Sequence, residues 1–259
     1  MISDQLFNAQ LLRQQRKIKV LENSLYRWIC FNDEQAIQSC MLLKYPAKLI
    51  LPYQQFMMMW QLLLPGRLPK QACLLGLGGG DIIRYLRKHW PLMNILAIDK
   101  EPAMAKLASE HFFIQPDDRL TIEIAKAENF IKKTGQYDLT LIDLVTDNQL
   151  PDFLLTLDFW NSCHKNASKD GVIVLNFISD SETTFVTLLE ILREVFGSLP
   201  FCLSVPEHKN VVLLINSSEQ RIQDINKLKR QAEKLQKQSE LPFQECVDIL
   251  AKDNEGLFI

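Results

Sequence analysis

The residues most suited to chemistry form the glycine turn at positions 76–81, with the sequence GLGGGD. The turn follows the apolar run 72–75 and precedes a helix-like stretch that starts at Ile82. A backbone without Cβ atoms can approach a ligand closely, and the first turn of a helix has unpaired N–H groups. A strand, a glycine turn and a helix in this order predict a cradle for a nucleoside. The candidate binding residues are Gly76, Gly78, Gly79, Gly80 and Asp81.

The spacing of the glycines narrows the class of ligand. In the dinucleotide fingerprint G-x-G-x-x-G, the third glycine would fall at position 81 or 83, where this chain has Asp81 and Ile83. An aspartate at the end of the turn repels a pyrophosphate and suits a cation. The pattern therefore favours an adenosine with a positively charged arm, which describes both S-adenosylmethionine and its decarboxylated form. The alternative is a glycine turn that binds no ligand.

Further aspartates follow the apolar runs of two predicted strands. Asp99 follows residues 95–98, and Asp143 follows residues 139–142, with Asp147 four places later in a loop. Ligands of doubly wound sheets lie outside the carboxyl ends of the strands. Asp99 could accept both ribose hydroxyl hydrogens, and its alternative role is to cap the next helix. Asp143 has a similar alternative as a turn acid.

An acidic pocket made by Asp81, Asp143 and Asp147 would suit a cationic amine. A carboxylate beside an ammonium can take its proton as a general base, and the freed amine can then attack a carbon next to a sulfonium. Because the sulfonium is already an activated leaving group, this chemistry requires no metal. The cysteines and histidines of the chain also lack the spacing of a metal site.

The pattern along the chain predicts the α/β fold that positions these groups. Strands and helices alternate after residue 70, which favours a mostly parallel sheet covered on both faces and closed by an antiparallel pair at 199–206 and 209–216. The predicted strands before that pair are 72–77, 94–99, 119–124, 138–143 and 171–177. The predicted helices are 81–89, 102–110, 127–134, 152–166 and 181–196.

The two ends of the chain predict smaller units. Residues 1–22 are interpreted as a short helix or a loose arm, residues 25–31 and 35–43 as a β-hairpin, and residues 53–64 as a helix. Residues 219–237 predict a basic helix whose charged side is interpreted as a solvated face, with a binding patch as the alternative. The expected units are residues 1–48 (arm and hairpin), 49–218 (nucleoside-binding α/β domain) and 219–259 (helical extension).

Composition limits the possible partners. The chain has 259 residues and a formal net charge of −2, which does not indicate a nucleic-acid partner. No secretory signal or membrane-spanning run is visible. The six cysteines form no C-x-x-C motif and are expected to be reduced, which favours a cytoplasmic protein. Neither a membrane nor a nucleic acid is expected as a partner.

Several of these segments together resemble the spermidine synthase (polyamine aminopropyltransferase) family, and most resemble its divergent bacterial members. Residues 74–81 (LLGLGGGD) are similar to its glycine-aspartate loop, and residues 98–102 (IDKEP) to its acidic segment after the second strand. Residues 137–143 (YDLTLID) look like its fourth strand, which ends in the catalytic aspartate. Residues 52–54 (PYQ) and 37–39 (IQS) resemble its Tyr-Gln pair and the glutamine of its N-terminal hairpin.

The resemblance implies a Rossmann-like methyltransferase fold with a seven-stranded sheet and a small N-terminal hairpin region, which could form a homodimer contact or a lid. It implies that Asp143 deprotonates a polyamine such as putrescine and that Tyr53 helps to place it. It further implies that Gln54 and Asp81 hold the aminopropyl amine of decarboxylated S-adenosylmethionine and that Asp99 binds its ribose. By the same resemblance, Asp147 and Gln38 contact the polyamine.

The chain departs from the family pattern at three places. Where the family has an Asp-Gly pair that binds the adenine amino group, this chain has Lys126-Ala127. The second aspartate of the catalytic loop, Asp147, comes one position later than in the family. The segment near the C-terminal end of the domain that lines the amine site in the family is VPEHKN at 205–210 in this chain. A lysine cannot accept the adenine N–H. Three functions are therefore compared: aminopropyl transfer, methyl transfer from S-adenosylmethionine, and non-catalytic binding of a nucleoside or polyamine. Asp81 and Asp143 argue against methyl transfer, because both would repel a methionine carboxylate.

Overall fold

The computed structural model describes residues 9–15, 17–31, 37–64, 68–144, 150–178, 181–218 and 224–256. These residues form two sheets, one of four strands and one of seven. The strands are β1 (Gln10–Gln15), β2 (Ile18–Glu22), β3 (Tyr26–Cys30), β4 (Ile37–Leu42), β5 (Gln71–Leu75), β6 (Asn94–Asp99), β7 (Leu120–Ile124), β8 (Tyr137–Ile142), β9 (Ala167–Ile178), β10 (Phe201–Ser204) and β11 (Asn210–Asn216).

Helices connect the strands of the large sheet and follow its last strand. They are α1 (Pro52–Met57), α2 (Asp81–His89), α3 (Pro102–His111), α4 (Ala127–Phe130), α5 (Leu157–Asn166), α6 (Glu182–Phe196), α7 (Ile225–Gln238) and α8 (Phe243–Asp253). Short 3-10 helices over Met58–Leu62 and Asp152–Leu155 continue α1 and precede α5. The predicted helix at 53–64 is therefore α-helical only in its first half.

The large sheet has the order β10-β11-β9-β8-β5-β6-β7. The pairs from β9 to β7 are parallel, and β11 runs antiparallel to both β9 and β10. The prediction of a mostly parallel sheet closed by an antiparallel pair is confirmed. Strand order reverses between β5 and β8, so the crevice at their carboxyl ends is where a ligand is expected.

Alternate residues of the central strand bury into two different cores. Ala72 and Leu74 belong to the core on one face of the sheet, and Cys73 and Leu75 belong to the core on the other. This explains why β5 is an unbroken apolar run, because a parallel strand with helices on both faces has no solvated side.

The N-terminal sheet has the order β1-β2-β3-β4 and is antiparallel throughout. The interpretation of residues 1–22 as a helix or loose arm is wrong for the described part, because β1 and β2 extend the predicted hairpin to four strands. The alternation of Ile18 and Val20 buries one side of β2 in the same core as one face of the large sheet. β1 is largely exposed and is held by its pairing with β2, so its sequence carries little strand periodicity.

The C-terminal helices α7 and α8 pack against each other, α8 also packs against β10, and α7 packs against the 3-10 helix Met58–Leu62. Leu228 and Ala232 bury the inner side of α7, while its lysines remain exposed, in agreement with a solvated basic face. The expected boundaries after residues 48 and 218 stay predictions.

A search of the described helices found none with the length and apolarity needed to cross a bilayer. All six cysteines are free, and five of them are buried.

Candidate active site at the carboxyl ends of β5, β6 and β8

The glycine turn connects β5 to α2 and lies directly against the end of β8. Gly76 has a φ of +98°, and a Cβ at this position would lie 2.1 Å from the carbonyl oxygen of Asp143. Its N–H donates to the carbonyl of Ile98 at 2.8 Å. Only glycine therefore allows the ends of the three central strands to approach this closely.

Two further glycines of the turn, Gly79 and Gly80, pack directly against neighbouring side chains of the protein. A Cβ on Gly79 would lie 2.3 Å from Ser39 Oγ, and one on Gly80 would lie 2.3 Å from Ile114 Cγ1. Gly78 differs from both, since no described atom lies within 4 Å of where its Cβ would be. The turn thus packs tightly on one side and leaves its backbone open at Gly78, which is where a ligand could approach it.

The Asp81 side chain is buried at the start of α2, with 4% of its surface exposed. Its Oδ2 accepts hydrogen bonds from Ser39 Oγ at 2.5 Å, from the Cys40 N–H at 3.0 Å and from Gln54 Nε2 at 3.2 Å. Its Oδ1 accepts from Arg84 Nη2 in a buried ion pair one helical turn away. The protein itself therefore supplies both the counter-charge and the donors for this carboxylate.

Four of the five N–H donors of Arg84 are directed at protein acceptors. Besides the Asp81 carboxylate, it donates to the carbonyl oxygens of Pro46 at 2.7 Å, Gly79 at 2.6 Å and Phe112 at 2.9 Å. These bonds tie the glycine turn to two neighbouring loops. Burial lowers the pKa of Arg84, and the adjacent Asp81 carboxylate opposes that shift.

Gln54 and Tyr53 connect this buried pair to Asp143. Gln54 Nε2 lies 3.5 Å from the Tyr53 hydroxyl oxygen, and that hydroxyl donates to Asp143 Oδ2 at 3.2 Å. The pKa of Tyr53 is raised well above its ordinary value, first by burial and then by the Asp143 charge, so the phenol stays a donor. Gln54 Oε1 is buried without a hydrogen-bond partner among the described residues, and such an atom calls for a donor.

Asp143 directly follows β8 and is partly exposed. Its Oδ1 accepts from Asn176 Nδ2 at 2.8 Å, while Oδ2 receives the Tyr53 hydroxyl. Burial raises the pKa of the Asp143 carboxyl to about 6, with the two hydrogen bonds opposing the rise and Asp81 adding to it. A carboxylate with this pKa is ionised at neutral pH and is more basic than an ordinary aspartate, which suits a general base.

Asp99 ends β6 and holds the glycine turn. Its Oδ2 accepts from the Leu77 N–H at 3.0 Å, and its Oδ1 accepts from the Glu101 N–H at 2.8 Å. The helix-cap alternative is wrong, because Glu101 is the N-cap of α3 and accepts from the Ala103 N–H. Burial raises the pKa of Asp99. Each carboxylate oxygen has two lone pairs, so acceptor capacity remains for ribose hydroxyls.

Three other residues were singled out from the sequence, namely Gln38, Lys126 and Asp147. Gln38 is the extra residue of a β-bulge in β4, because Cys30 pairs with Ile37 and Ile29 pairs with Ser39. Lys126 precedes α4 and has an exposed side chain. The N–H of the preceding residue, Ala125, donates to the Asp99 carbonyl at 3.0 Å. Asp147 lies outside the described residues.

Four residues of the site had no role assigned from the sequence. They are Ser39, Arg84, Asn176 and Asn210. Asn176 could have been noticed, because it interrupts the apolar run 172–177 in a strand that is buried on both faces. Ser39 and Arg84 carry no comparable signal, since both residue types are common next to strands and on helices.

The described residues contain no group of three histidine, cysteine or acidic side chains arranged to hold a metal ion. The site places the Asp143 carboxylate beside a glycine turn, with the Asp99 carboxylate at the end of a neighbouring strand and an unsatisfied amide oxygen at Gln54.

The chain is similar in sequence to curated polyamine aminopropyltransferases. No protein-family model matches the chain. The chain is 31% identical over 221 residues to the polyamine aminopropyltransferase of Neisseria meningitidis serogroup A, covering 84% of this chain and 83% of the relative. It is 30% identical over 242 residues to the polyamine aminopropyltransferase of Chromobacterium violaceum, covering 92% and 91%.

Solved structures share the fold at lower identity. A probable spermidine synthase from Corynebacterium glutamicum has a TM-score of 0.68 at 20% identity, covering 78% of this chain and 77% of that one. Human methyltransferase-like protein 13, solved with S-adenosylhomocysteine (SAH), has a TM-score of 0.65 at 19% identity, covering 80% and 95%. At these identities the likeness establishes the methyltransferase-type fold and nothing finer.

Proposed function

Since the chain belongs to the polyamine aminopropyltransferase family, we propose that it transfers an aminopropyl group from decarboxylated S-adenosylmethionine to a diamine such as putrescine. The observation that carries this choice of donor is the pairing of Asp81 with Arg84. A methyl donor with an intact methionine group would need a free cation or N–H groups for its carboxylate. Among the described residues, Arg84 is the buried cation of the site, and four of its five N–H donors are already used by Asp81 and three backbone carbonyls.

Asp143 is the general base of the proposed reaction. It takes a proton from the ammonium of the diamine, and the nitrogen lone pair then forms a bond to the aminopropyl carbon next to the sulfonium. The carbon–sulfur bond breaks, and its electron pair stays on sulfur, which leaves as neutral methylthioadenosine. The Tyr53 hydroxyl donates to Asp143 Oδ2 and holds that oxygen in place.

Gln54 is the proposed ligand of the aminopropyl amine. Its buried Oε1 has no described partner, and an ammonium N–H would supply the missing donor. Asp81 then acts indirectly through Gln54. Its Oδ2 accepts a hydrogen bond from Gln54 Nε2, which points the Oε1 atom of Gln54 away from Asp81. The net charge that Asp81 contributes is largely cancelled by Arg84, which leaves Asp143 as the dominant negative group facing the donor.

Asp99 and Gly78 are the proposed contacts for the nucleoside. Asp99 would accept the ribose hydroxyls, and the open backbone at Gly78 would lie against the adenosine side of the ligand. Lys126 cannot accept the adenine amino hydrogens, so the adenine would be held by backbone groups or by packing. Gln38 and Asp147 remain proposed polyamine contacts. A cytoplasmic location is proposed because all six thiols are free.

The function is tested by offering three nucleosides side by side. Calorimetry with decarboxylated S-adenosylmethionine, S-adenosylmethionine and methylthioadenosine should show tighter binding of the first than of the second. Mass spectrometry of a reaction with putrescine should show spermidine and methylthioadenosine in equal amounts. Preference for S-adenosylmethionine would favour methyl transfer instead, and no binding of any of the three would favour a non-catalytic protein.

Replacement of Asp99 by asparagine should weaken the binding of methylthioadenosine by about 10–100-fold, because hydrogen bonds to a charged acceptor contribute about 1.5–3 kcal/mol. The asparagine keeps one acceptor oxygen, which can serve the Leu77 N–H of the glycine turn. It loses the second acceptor, used by the Glu101 N–H, and the charge offered to the ribose. The measurement is the Kd by calorimetry. Asp158→Asn, which removes an exposed ion pair with Lys132, is the matched control. An unchanged Kd in Asp99→Asn would mean that the ribose is held elsewhere.

A further inference from the structure

We infer that Asn176 and Asn210, together the asparagine relay, position the Asp143 carboxylate for proton acceptance, a role that rests on the proposed function. Neither side chain is placed to react, since both are buried behind Asp143, with 1% and 8% of their surfaces exposed. A buried amide is costly in a strand core unless its hydrogen bonds are made. An apolar residue would fill either position at lower cost, so the two amides require an explanation.

The strand register brings the three residues into one row. Ile142 of β8 pairs with Leu175 of β9, so the next residues, Asp143 and Asn176, lie side by side at the carboxyl edge. Asn176 in turn pairs with Val212 of β11. Asn210 precedes Val212 by two residues and therefore lies on the same face of the sheet, diagonal to Asn176.

The hydrogen bonds give the relay a direction. Asn210 Nδ2 donates to Asn176 Oδ1 at 2.8 Å, and Asn176 Nδ2 donates to Asp143 Oδ1 at 2.8 Å. Because Asn210 holds the amide oxygen of Asn176, the amide nitrogen must face Asp143. Oδ1 of Asp143 is thereby engaged on the strand side, and Oδ2, which receives only the Tyr53 hydroxyl at 3.2 Å, is the oxygen left to take a proton.

The groups that act on the charge of Asp143 come from three directions. Tyr53 of α1 and Asn176 of β9 donate to it, and Asp81 of α2, itself paired with Arg84, repels it. A donor to a carboxylate stabilises the ionised form, so removal of Asn176 must raise the pKa of Asp143 above its value of about 6. As the pH is lowered, Asp143 of the variant then becomes protonated at a higher pH than Asp143 of the wild type. The acid limb of the pH–rate profile therefore also moves to higher pH.

The test is Asn176→Ala, followed by two measurements. Carbon-13 NMR of the side-chain carboxyls gives the pKa of Asp143, with its signal assigned by its absence in Asp143→Asn. The pH dependence of kcat gives the acid limb. Both should move upward by about one pH unit, which is a tenfold loss of rate on the acid side, while the KM for the nucleoside donor stays within about twofold.

A second variant tests the direction of the relay. In Asn210→Leu the amide oxygen of Asn176 loses its donor without the introduction of a new charge, so the amide can turn its oxygen toward Asp143. The pKa of Asp143 should then rise, although Asn176 itself is still present. Such a rise requires that Asn210 act through Asn176, because its hydrogen bond reaches Asn176 and not Asp143.

Asn166→Ala is the control for the loss of a buried amide. Asn166 donates to the carbonyl oxygens of Ile131 and Lys133, away from the site, so its loss should lower stability without moving the pKa of Asp143. The relay is overturned if Asn176→Ala leaves both the pKa and the acid limb at their wild-type positions. A wild type that forms no spermidine would instead refute the proposed function, and the NMR titration would still decide whether the relay acts on Asp143.

Discussion

The variant Asp143→Asn should lower kcat for aminopropyl transfer by about 10²–10⁴-fold, the range expected when a general base is removed. The amide is nearly the same shape as the carboxylate. Its oxygen can still accept from Asn176, and its NH2 group can donate to the Tyr53 hydroxyl, so the fold and the nucleoside site should persist. The measurement is the rate of spermidine formation at saturating substrates, together with the Kd for methylthioadenosine, which should change little.

Asp138→Asn provides the matched control for this result. Asp138 lies on the same strand at the opposite edge of the sheet, where it accepts from the backbone N–H groups of Lys70 and Gln71. Its loss should affect stability and not turnover. If Asp143→Asn retained wild-type turnover, Asp143 would have no part in the mechanism.

Replacement of Arg84 by methionine should lower the free energy of unfolding by about 3–5 kcal/mol, because it leaves the Asp81 charge buried without its partner. The same change also strips donors from the carbonyl oxygens of Pro46, Gly79 and Phe112. The measurement is equilibrium unfolding in urea. Because the glycine turn is held by these bonds, the affinity for methylthioadenosine should fall as well.

Arg87→Met on the same helix is the control. Arg87 pairs with Asp117 at the surface, where ion pairs contribute about 0–1 kcal/mol. The double variant Asp81→Asn with Arg84→Met removes both charges and should be more stable than Arg84→Met alone. A cost for Arg84→Met no greater than that for Arg87→Met would contradict the view that the buried pair organises the turn.

The sequence was sufficient for the strands of the large sheet and for the two acids at the ends of β6 and β8. An apolar run that ends in an aspartate is a local pattern, and strand direction alone places Asp99 and Asp143 at one edge of the sheet. Glycines at 76 and 80 were likewise identified from their residue type, and their positive φ values agree with it. The N-terminal strands were missed because β1 is exposed and is held by pairing rather than by its own periodicity.

Only the tertiary structure decided which partners each acid has. The sequence pattern treated Asp81 as a free carboxylate for an amine, whereas packing pairs it with Arg84 and with Ser39, a residue 42 positions away. It also joined Asn176 and Asn210 to Asp143 through the register of three strands. Such contacts depend on long-range packing, and no spacing along the chain encodes them. The local pattern determined where the charges lie, and the packing around them determined which charge remains available for chemistry.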